Sequence, residues 1–203
     1  MRRSLVFATV LLMCSVARAQ APVDGARTVY ATSHRGQVGG DAALGLGYRV
    51  LFPYHDGEFC GMVDRKVCSG RSPAFLALGL SYGVSDTVDL LVELRLGLDG
   101  DFKRGGSMGD GPKPVWLAPG AKFFFDESGR WKLFSTVQLA IDFTDYTGSG
   151  ASGTDYGLHN SNGLLYELSQ NFGLYARVGE TVGVVRWLRF ELEGGVGLQG
   201  RLP

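Results

Sequence analysis

The chain has 203 residues, and its 20 lysines and arginines balance its 20 aspartates and glutamates, giving a formal net charge of zero. This balance excludes the basic footprint of a nucleic-acid-binding protein, and the length suits one domain. Glycine is abundant at 31 residues, which disfavours long helices but is tolerated in tightly curved sheets.

The first 19 residues have the three parts of a secretory signal peptide. Arg2 and Arg3 give a positive start, residues 5–16 are an apolar segment, and Ala17-Arg18-Ala19 is a small-x-small cleavage site. The apolar segment is too short to span a bilayer as a helix. We therefore expect residues 1–19 to be a signal peptide that is cleaved near Ala19.

Residues 20–37 show no periodicity and are expected to form a periplasmic N-terminal segment, followed by a barrel over 38–203. The barrel region contains eight segments that alternate between apolar residues and small or charged ones. Alternation with period two is typical of a strand with one apolar face. The predicted strands cover about residues 41–52, 73–83, 88–99, 114–125, 131–143, 156–168, 172–182 and 187–199.

The predicted connections alternate between short and long. Residues 83–87, 126–130 and 169–171 form tight turns, whereas residues 53–72, 100–113 and 144–155 form long polar loops; the last connection, 183–186, is short. The tight turns therefore lie at one end of the sheet and the long loops at the other. Outer-membrane barrels have this polarity, with short periplasmic turns and longer outer loops.

The composition of the two rows indicates that the apolar row faces outward and the other row faces the barrel interior. The second row is rich in small residues such as Ala43, Gly45, Ala77 and Gly79, which suit the narrow interior of an eight-stranded barrel. On the apolar row, aliphatic residues occupy the strand centres and aromatic residues occupy the ends, as expected at two membrane interfaces. The aromatic residues at the turn end are Tyr82, Phe125, Trp131, Tyr166 and Phe172, and those at the loop end are Phe52, Phe143, Tyr156 and Phe190.

These features predict an all-β fold, an eight-stranded antiparallel up-and-down transmembrane β-barrel. The pattern resembles the small outer-membrane barrels of diderm bacteria, of the OmpA, OmpX and OmpW type, over essentially the whole mature chain. The resemblance implies the outer membrane as location, outer-membrane lipid and the barrel assembly machinery as partners, and a monomeric or weakly associated state. One departure is the C-terminus, which is Gly200-Arg201-Leu202-Pro203 rather than an aromatic residue.

The inward row carries six basic and six acidic residues. Charges in a narrow lumen are costly unless they are paired, so we expect a salt-bridge network. Strand pairing predicts that Arg177 contacts Glu191 or Glu193 on the next strand. A balanced, filled lumen argues against a wide pore. The twelve residues are Arg49, Asp89, Glu93, Arg95, Lys122, Lys132, Asp142, Glu167, Arg177, Arg189, Glu191 and Glu193.

Two cysteines follow the signal peptide, Cys60 and Cys68, both in the first long loop. In an exported protein this spacing favours a disulfide that staples the loop. His34 and His55 are expected to be solvated rather than ligands. We predict no metal, no cofactor and no nucleic-acid partner.

One segment suggests catalysis. His159-Asn160-Ser161-Asn162 resembles the His-x-Ser-Asn segment of the PagL-type lipid A deacylases. The resemblance implies Ser161 as nucleophile and His159 as its base. However, the predicted register turns both side chains into the lumen, and no acidic residue stands at the spacing of that family.

The sequence thus predicts a structural or adhesive outer-membrane barrel that acts through its outer loops, which would bind an extracellular ligand. The alternatives are a lipid A-modifying hydrolase, a narrow porin-like channel or small-ligand carrier, and a soluble exported barrel.

Overall fold

The computed structural model describes residues 34–54, 67–102, 109–125, 129–146 and 153–202, and its strands form one closed antiparallel barrel. Each strand pairs with its neighbours in chain order, and β8 closes on β1 from Val38 opposite Leu202 to Pro53 opposite Trp187. The predicted eight-stranded up-and-down barrel is confirmed. The strands are β1 (Val38–Pro53), β2 (Cys68–Gly83), β3 (Val88–Gly97), β4 (Val115–Phe124), β5 (Trp131–Asp142), β6 (Asp155–Ser169), β7 (Phe172–Gly183) and β8 (Trp187–Leu202). Within the described ranges, no helix has the length and hydropathy of a membrane span.

Strand β2 begins five residues earlier than the alternation predicts. Gly45 of β1 faces Phe75, but Gly47 faces Ser72, so β2 carries one extra residue at a bulge containing Pro73. A bulge accommodates proline because the ladder is interrupted there. Before the bulge the inward residues of β2 are even-numbered, and after it they are odd-numbered. The regular alternation stops at this point, so the sequence pattern predicts the end of the strand there.

The outward row is apolar along most of the barrel. Exposed aliphatic side chains fill the strand centres, among them Leu44, Leu90, Leu139 and Leu192. Eight of the nine predicted belt aromatics are exposed, and the ninth, Tyr166, packs against Trp131 with ring centroids 4.5 Å apart. The leucine-rich row therefore faces outward, as membrane contact requires.

The end of the N-terminal segment folds back against the turn end of the barrel. Gly36 has a φ of 79°, which favours glycine, and its N–H donates to the carbonyl of Gly83 at 2.8 Å. The N–H of Gly83 donates to the carbonyl of Gln37 at 3.0 Å. This turn places the His34 side chain inside the barrel with 1% of its surface exposed, so the expectation that His34 is solvated was wrong. His55 lies outside the described residues.

Candidate functional site

The lumen collects most of the charged side chains of the strands. All twelve residues of the predicted inward set are buried there, because each lies on the row opposite the apolar one. They form three layers, which we name the outer, middle and inner layer from the loop end to the turn end. Four charged residues of these layers were missed by the sequence analysis, since they lie at strand ends or in a loop: Asp41, Asp101, Asp155 and Arg201.

The outer layer is held by a loop residue that enters the barrel mouth. Asp101, in the β3–β4 connection, accepts hydrogen bonds from the guanidinium of Arg49 and from the hydroxyl of Tyr146. Arg49 also donates to Glu191, with Nε 3.0 Å from Oε2. Burial, reinforced by the neighbouring Asp101 carboxylate, raises the pKa of Tyr146 well above its usual range. The phenol therefore serves as a fixed donor.

A second pair of strands completes this layer. Arg189 donates to Asp142 at 2.7 Å, and its other Nη atom lies 3.9 Å from Asp155. The backbone N–H groups of Val185 and Arg186 donate to Asp155, which fixes the β7–β8 turn. Above these charges sits an apolar lid, a cluster of buried side chains contributed by strand ends and loops. The lid consists of Leu51, Cys68, Phe102, Tyr146 and Trp187.

The middle layer is centred on Glu93. Arg177 donates two hydrogen bonds to the Glu93 carboxylate, at 2.6 and 3.2 Å, and Arg95 donates a third at 3.0 Å. Arg95 also donates to Glu193, and its guanidinium lies 4.2 Å from the ring centroid of Phe75. These groups span the lumen from β3 to β7 and β8, so the middle layer is a continuous polar partition.

The predicted contact between Arg177 and Glu191 or Glu193 was wrong. In the register, Arg177 lies opposite Gly195, whereas Glu193 and Glu191 lie opposite Gly179 and Thr181. The ion pair of Arg177 is instead with Glu93, on the far wall of the barrel. An eight-stranded lumen is narrow enough for a long side chain to cross it, so the nearest strand does not decide the partner.

The inner layer surrounds His34. Asp89 pairs with Arg201, and Lys132 pairs with Glu167 at 2.9 Å. His34 Nε2 lies 3.3 Å from Lys132 Nζ. Its ring packs edge-on against a phenylalanine of β4, Phe124, with centroids 4.4 Å apart. Burial lowers the pKa of His34, although the Glu167 carboxylate, with Oε1 3.9 Å from Nε2, acts in the opposite direction.

Lys122 departs from the predicted salt-bridge network. Among the described residues, no carboxylate lies within ion-pair distance of its ammonium, which donates to Gln199 at 2.7 Å. Three aromatic rings surround the ammonium, at 4.2, 5.2 and 5.3 Å from their centroids, so cation–π attraction replaces the expected ion pair. The rings belong to Phe134, Phe124 and Tyr175.

The structure places the two candidate catalytic residues in the lumen wall but does not pair them. Ser161 is fully buried and shares a 2.5 Å hydrogen bond with the hydroxyl of Thr136. His159 Nδ1 lies 2.8 Å from the hydroxyl of Thr181, and its Nε2 lies 3.8 Å from Glu193. Neither side chain faces the lipid, so a membrane lipid has no direct approach to this serine.

The remaining predicted sites are placed only in part. Cys68 is buried at the start of β2, whereas Cys60 lies outside the described residues, so the disulfide stays a prediction. In the part of the chain that the structure describes, no cluster of three or more His, Cys, Asp or Glu side chains could hold a metal ion.

The sequence analysis also did not predict a cluster of three polar residues on the outward row. Asn160, Asn162 and Glu180 point away from the lumen, on the face that is apolar elsewhere. The alternation of β6 gives the signal, because the even-numbered row that starts with Tyr156 and Leu158 continues with two asparagines.

Comparisons with known proteins agree with this architecture. No protein-family model matches the chain, and no curated protein sequence matches it. The N-terminal β-barrel domain of Pseudomonas aeruginosa OprF superimposes with a TM-score of 0.53 at 16% identity, covering 83% of this chain and 98% of that domain. Ail, the attachment invasion locus protein of Yersinia pestis, superimposes with a TM-score of 0.51 at 12% identity, covering 83% of this chain and 99% of Ail.

The chain is therefore an eight-stranded β-barrel of the outer-membrane type. Within that class it has the architecture of the small OmpA-, OmpX- and OmpW-like barrels, as the sequence pattern predicted. At these identities the likeness concerns the fold.

Proposed function

We propose that this protein is a closed outer-membrane barrel that anchors and presents its outer loops, and that recognition at the cell surface is the work of those loops. The observation that carries the proposal is the lumen itself. Three successive layers of paired, buried charges cross it, so a diffusing solute would have to displace the Glu93–Arg177 pair and its neighbours. Breaking such a buried pair costs about 3–5 kcal/mol.

The apolar lid supports the same function. Phe102 and Tyr146 come from the β3–β4 and β5–β6 connections, and they pack with strand-end residues over the outer layer. These contacts fix the described ends of two outer loops over the barrel mouth, and fixing a loop at its ends lowers the entropy cost of binding a partner. An extracellular ligand is proposed as a partner of these loops, and the outer-membrane type of fold supports the barrel assembly machinery as a second partner.

The two other functions fit the geometry less well. A narrow channel or carrier needs a path that the three layers block. A lipid A hydrolase needs a serine that meets lipid, whereas Ser161 is buried in the lumen wall. The enzyme hypothesis therefore rests on the similarity of one short segment.

The closed lumen can be tested by electrical conductance. We expect purified protein in planar bilayers to give no stepwise current above that of lipid alone. The double variant Asp101→Gly/Phe102→Gly removes one loop contribution to the outer layer and the lid, and it should also remain closed because the middle layer lies deeper.

An open porin inserted into the same membranes is the positive control. Reproducible unit steps from the wild type, scaling with salt concentration, would contradict the closed barrel and favour the channel. Steps seen only in the double variant would identify the lid as the true barrier and the middle layer as permeable.

A further inference from the structure

The outward face of β5, β6 and β7 carries a polar patch, which we define as Ser135, Asn160, Asn162 and Glu180. The strand register brings the four together: Ser135 lies opposite Asn162, and Asn160 lies opposite Glu180. Asn162 Nδ2 donates to Asn160 Oδ1 at 3.0 Å. The patch is thus a connected surface rather than scattered polar residues.

The patch lies within the apolar band of the barrel. On β6, Asn160 is four residues from Tyr156 and Asn162 is four residues from Tyr166, the two aromatic residues that mark the ends of the band. At about 3.3 Å per residue, each amide lies about 13 Å along the strand from the nearer aromatic residue. Because the strands of such barrels tilt by about 35–45°, this distance corresponds to a depth of about 10 Å, which is within the hydrocarbon band.

Polar groups at this depth are costly when they face acyl chains, because hydrocarbon offers no hydrogen-bond partner. The residues around the patch make the cost more evident. Val137, Leu158, Val178 and Leu192 are all strongly exposed aliphatic side chains. A row that is otherwise suited to lipid is interrupted at the one place where two amides and a carboxyl group meet.

We propose that the polar patch is a contact between two copies of this chain in the membrane, related by a two-fold axis. The hydrogen bond within the patch uses the Asn160 carbonyl oxygen and one Asn162 amide hydrogen, and it leaves both amide hydrogens of Asn160 and the side-chain carbonyl oxygen of Asn162 available to a partner. A two-fold axis along the membrane normal keeps each residue at its own depth, so it sets Asn160 against Asn160 and Asn162 against Asn162 of the second copy. Each amide carries both a donor and an acceptor, so the patch is complementary to itself. Glu180 adds a further acceptor beside the Asn160 donor.

The surrounding aliphatic side chains would seal such a contact against lipid, as the rim of an interface does. Acyl chains at this depth provide no group that could satisfy the amides. A different protein would have to match the same donor and acceptor pattern, which a second copy does by symmetry. The dimer revises the expectation of a monomer and does not depend on the proposed function of the loops.

The test uses two batches of the folded full mature chain, labelled on the N-terminal amine with a donor or an acceptor fluorophore and mixed in phosphatidylcholine vesicles. We expect energy transfer above the random level, rising with the protein-to-lipid ratio. In Asn160→Leu/Asn162→Leu, the association constant should fall about sevenfold or more, because two or more hydrogen bonds in lipid are lost.

The matched control is Leu78→Ala/Leu80→Ala on β2, which alters two outward residues across the barrel and should associate like the wild type. Heat-modifiable gel migration checks that each variant is folded. If the leucine variant does not fold, Asn160→Ser/Asn162→Ser replaces it. Random-level transfer in the wild type, or wild-type association in a folded patch variant, would overturn the proposal.

Discussion

At the scale of single residues, the sequence assigns the face of a side chain but not its partner. Period-two alternation correctly turns Glu93 and Arg177 into the same lumen, because side chains alternate strictly along a strand. Their contact joins β3 to β7, which share no backbone hydrogen bonds. The prediction considered only residues on adjacent strands as partners of Arg177, so it selected Glu191 and Glu193 on β8. The aromatic surroundings of Lys122 were not predicted because only acidic residues were considered as partners of a lysine; two of the three rings lie on β4 itself and on the adjacent β5.

Glu93 allows the first residue-scale prediction, because it accepts from two arginines while Glu193 accepts from one. Glu93→Gln leaves two buried guanidinium groups with a neutral amide, and the free energy of unfolding should fall by about 3–5 kcal/mol. Glu193→Gln is the matched control, with the same chemical change in the same layer, and should cost less. Urea unfolding in lipid vesicles, followed by tryptophan fluorescence, measures both.

An equal or larger loss in Glu193→Gln would contradict the central position of Glu93. The comparison is insensitive to general effects of removing a lumen carboxylate, because both variants share them. It therefore isolates the three hydrogen bonds that Arg177 and Arg95 donate to Glu93.

At the scale of elements, the pattern finds strands where the alternation is regular and shortens them where it is broken. The first five residues of β2 were assigned to a loop, because the bulge at Pro73 exchanges the inward-facing and outward-facing positions. The end of β8 was missed because Gly200 and Arg201 carry no apolar signal, although they pair with β1. The docked turn at residues 34–37 has no periodicity at all, so only the structure reveals it.

The docked turn makes the stability depend on pH through His34. The folded pKa of His34 is lowered by burial, whereas in the unfolded chain it has its ordinary value near 6.5. Above that value the ring is neutral in both states. As the pH falls below it, the unfolded chain binds a proton that the folded chain resists, so stability is lost on acidification.

The charged groups that face His34 are Asp89 of β3, Lys132 of β5, Glu167 of β6 and Arg201 of β8. All four groups are also present in a His34→Gln variant, which keeps a polar side chain but removes the titrating ring. We expect the free energy of urea unfolding to fall more in the wild type than in His34→Gln between about pH 7.5 and pH 5. Parallel losses in the two proteins would assign the pH dependence to the carboxylates instead.

At the scale of the whole molecule, the alternation of connection lengths was enough to distinguish the two ends of the barrel. It could not tell whether the lumen is open, because closure depends on where loop residues go. Asp101 and Phe102 are ordinary loop residues in the sequence, yet they enter the mouth and complete the outer layer and the lid. Such contacts join positions far apart in the chain, and no local pattern encodes them.

The polarity of the barrel gives the last prediction. An even number of strands places the two ends of the barrel, Val38 and Leu202, at the turn side. An exported chain is expected to begin in the periplasm. A peptide tag inserted between Ser85 and Asp86, in the β2–β3 turn, should therefore bind antibody only after the cells are permeabilised. A tag inserted within residues 103–108, in the β3–β4 connection, should be labelled on intact cells. Heat-modifiable migration confirms that each tagged barrel is folded, and labelling of the Ser85–Asp86 tag on intact cells would mean that the barrel has the opposite orientation, with its lid facing the periplasm.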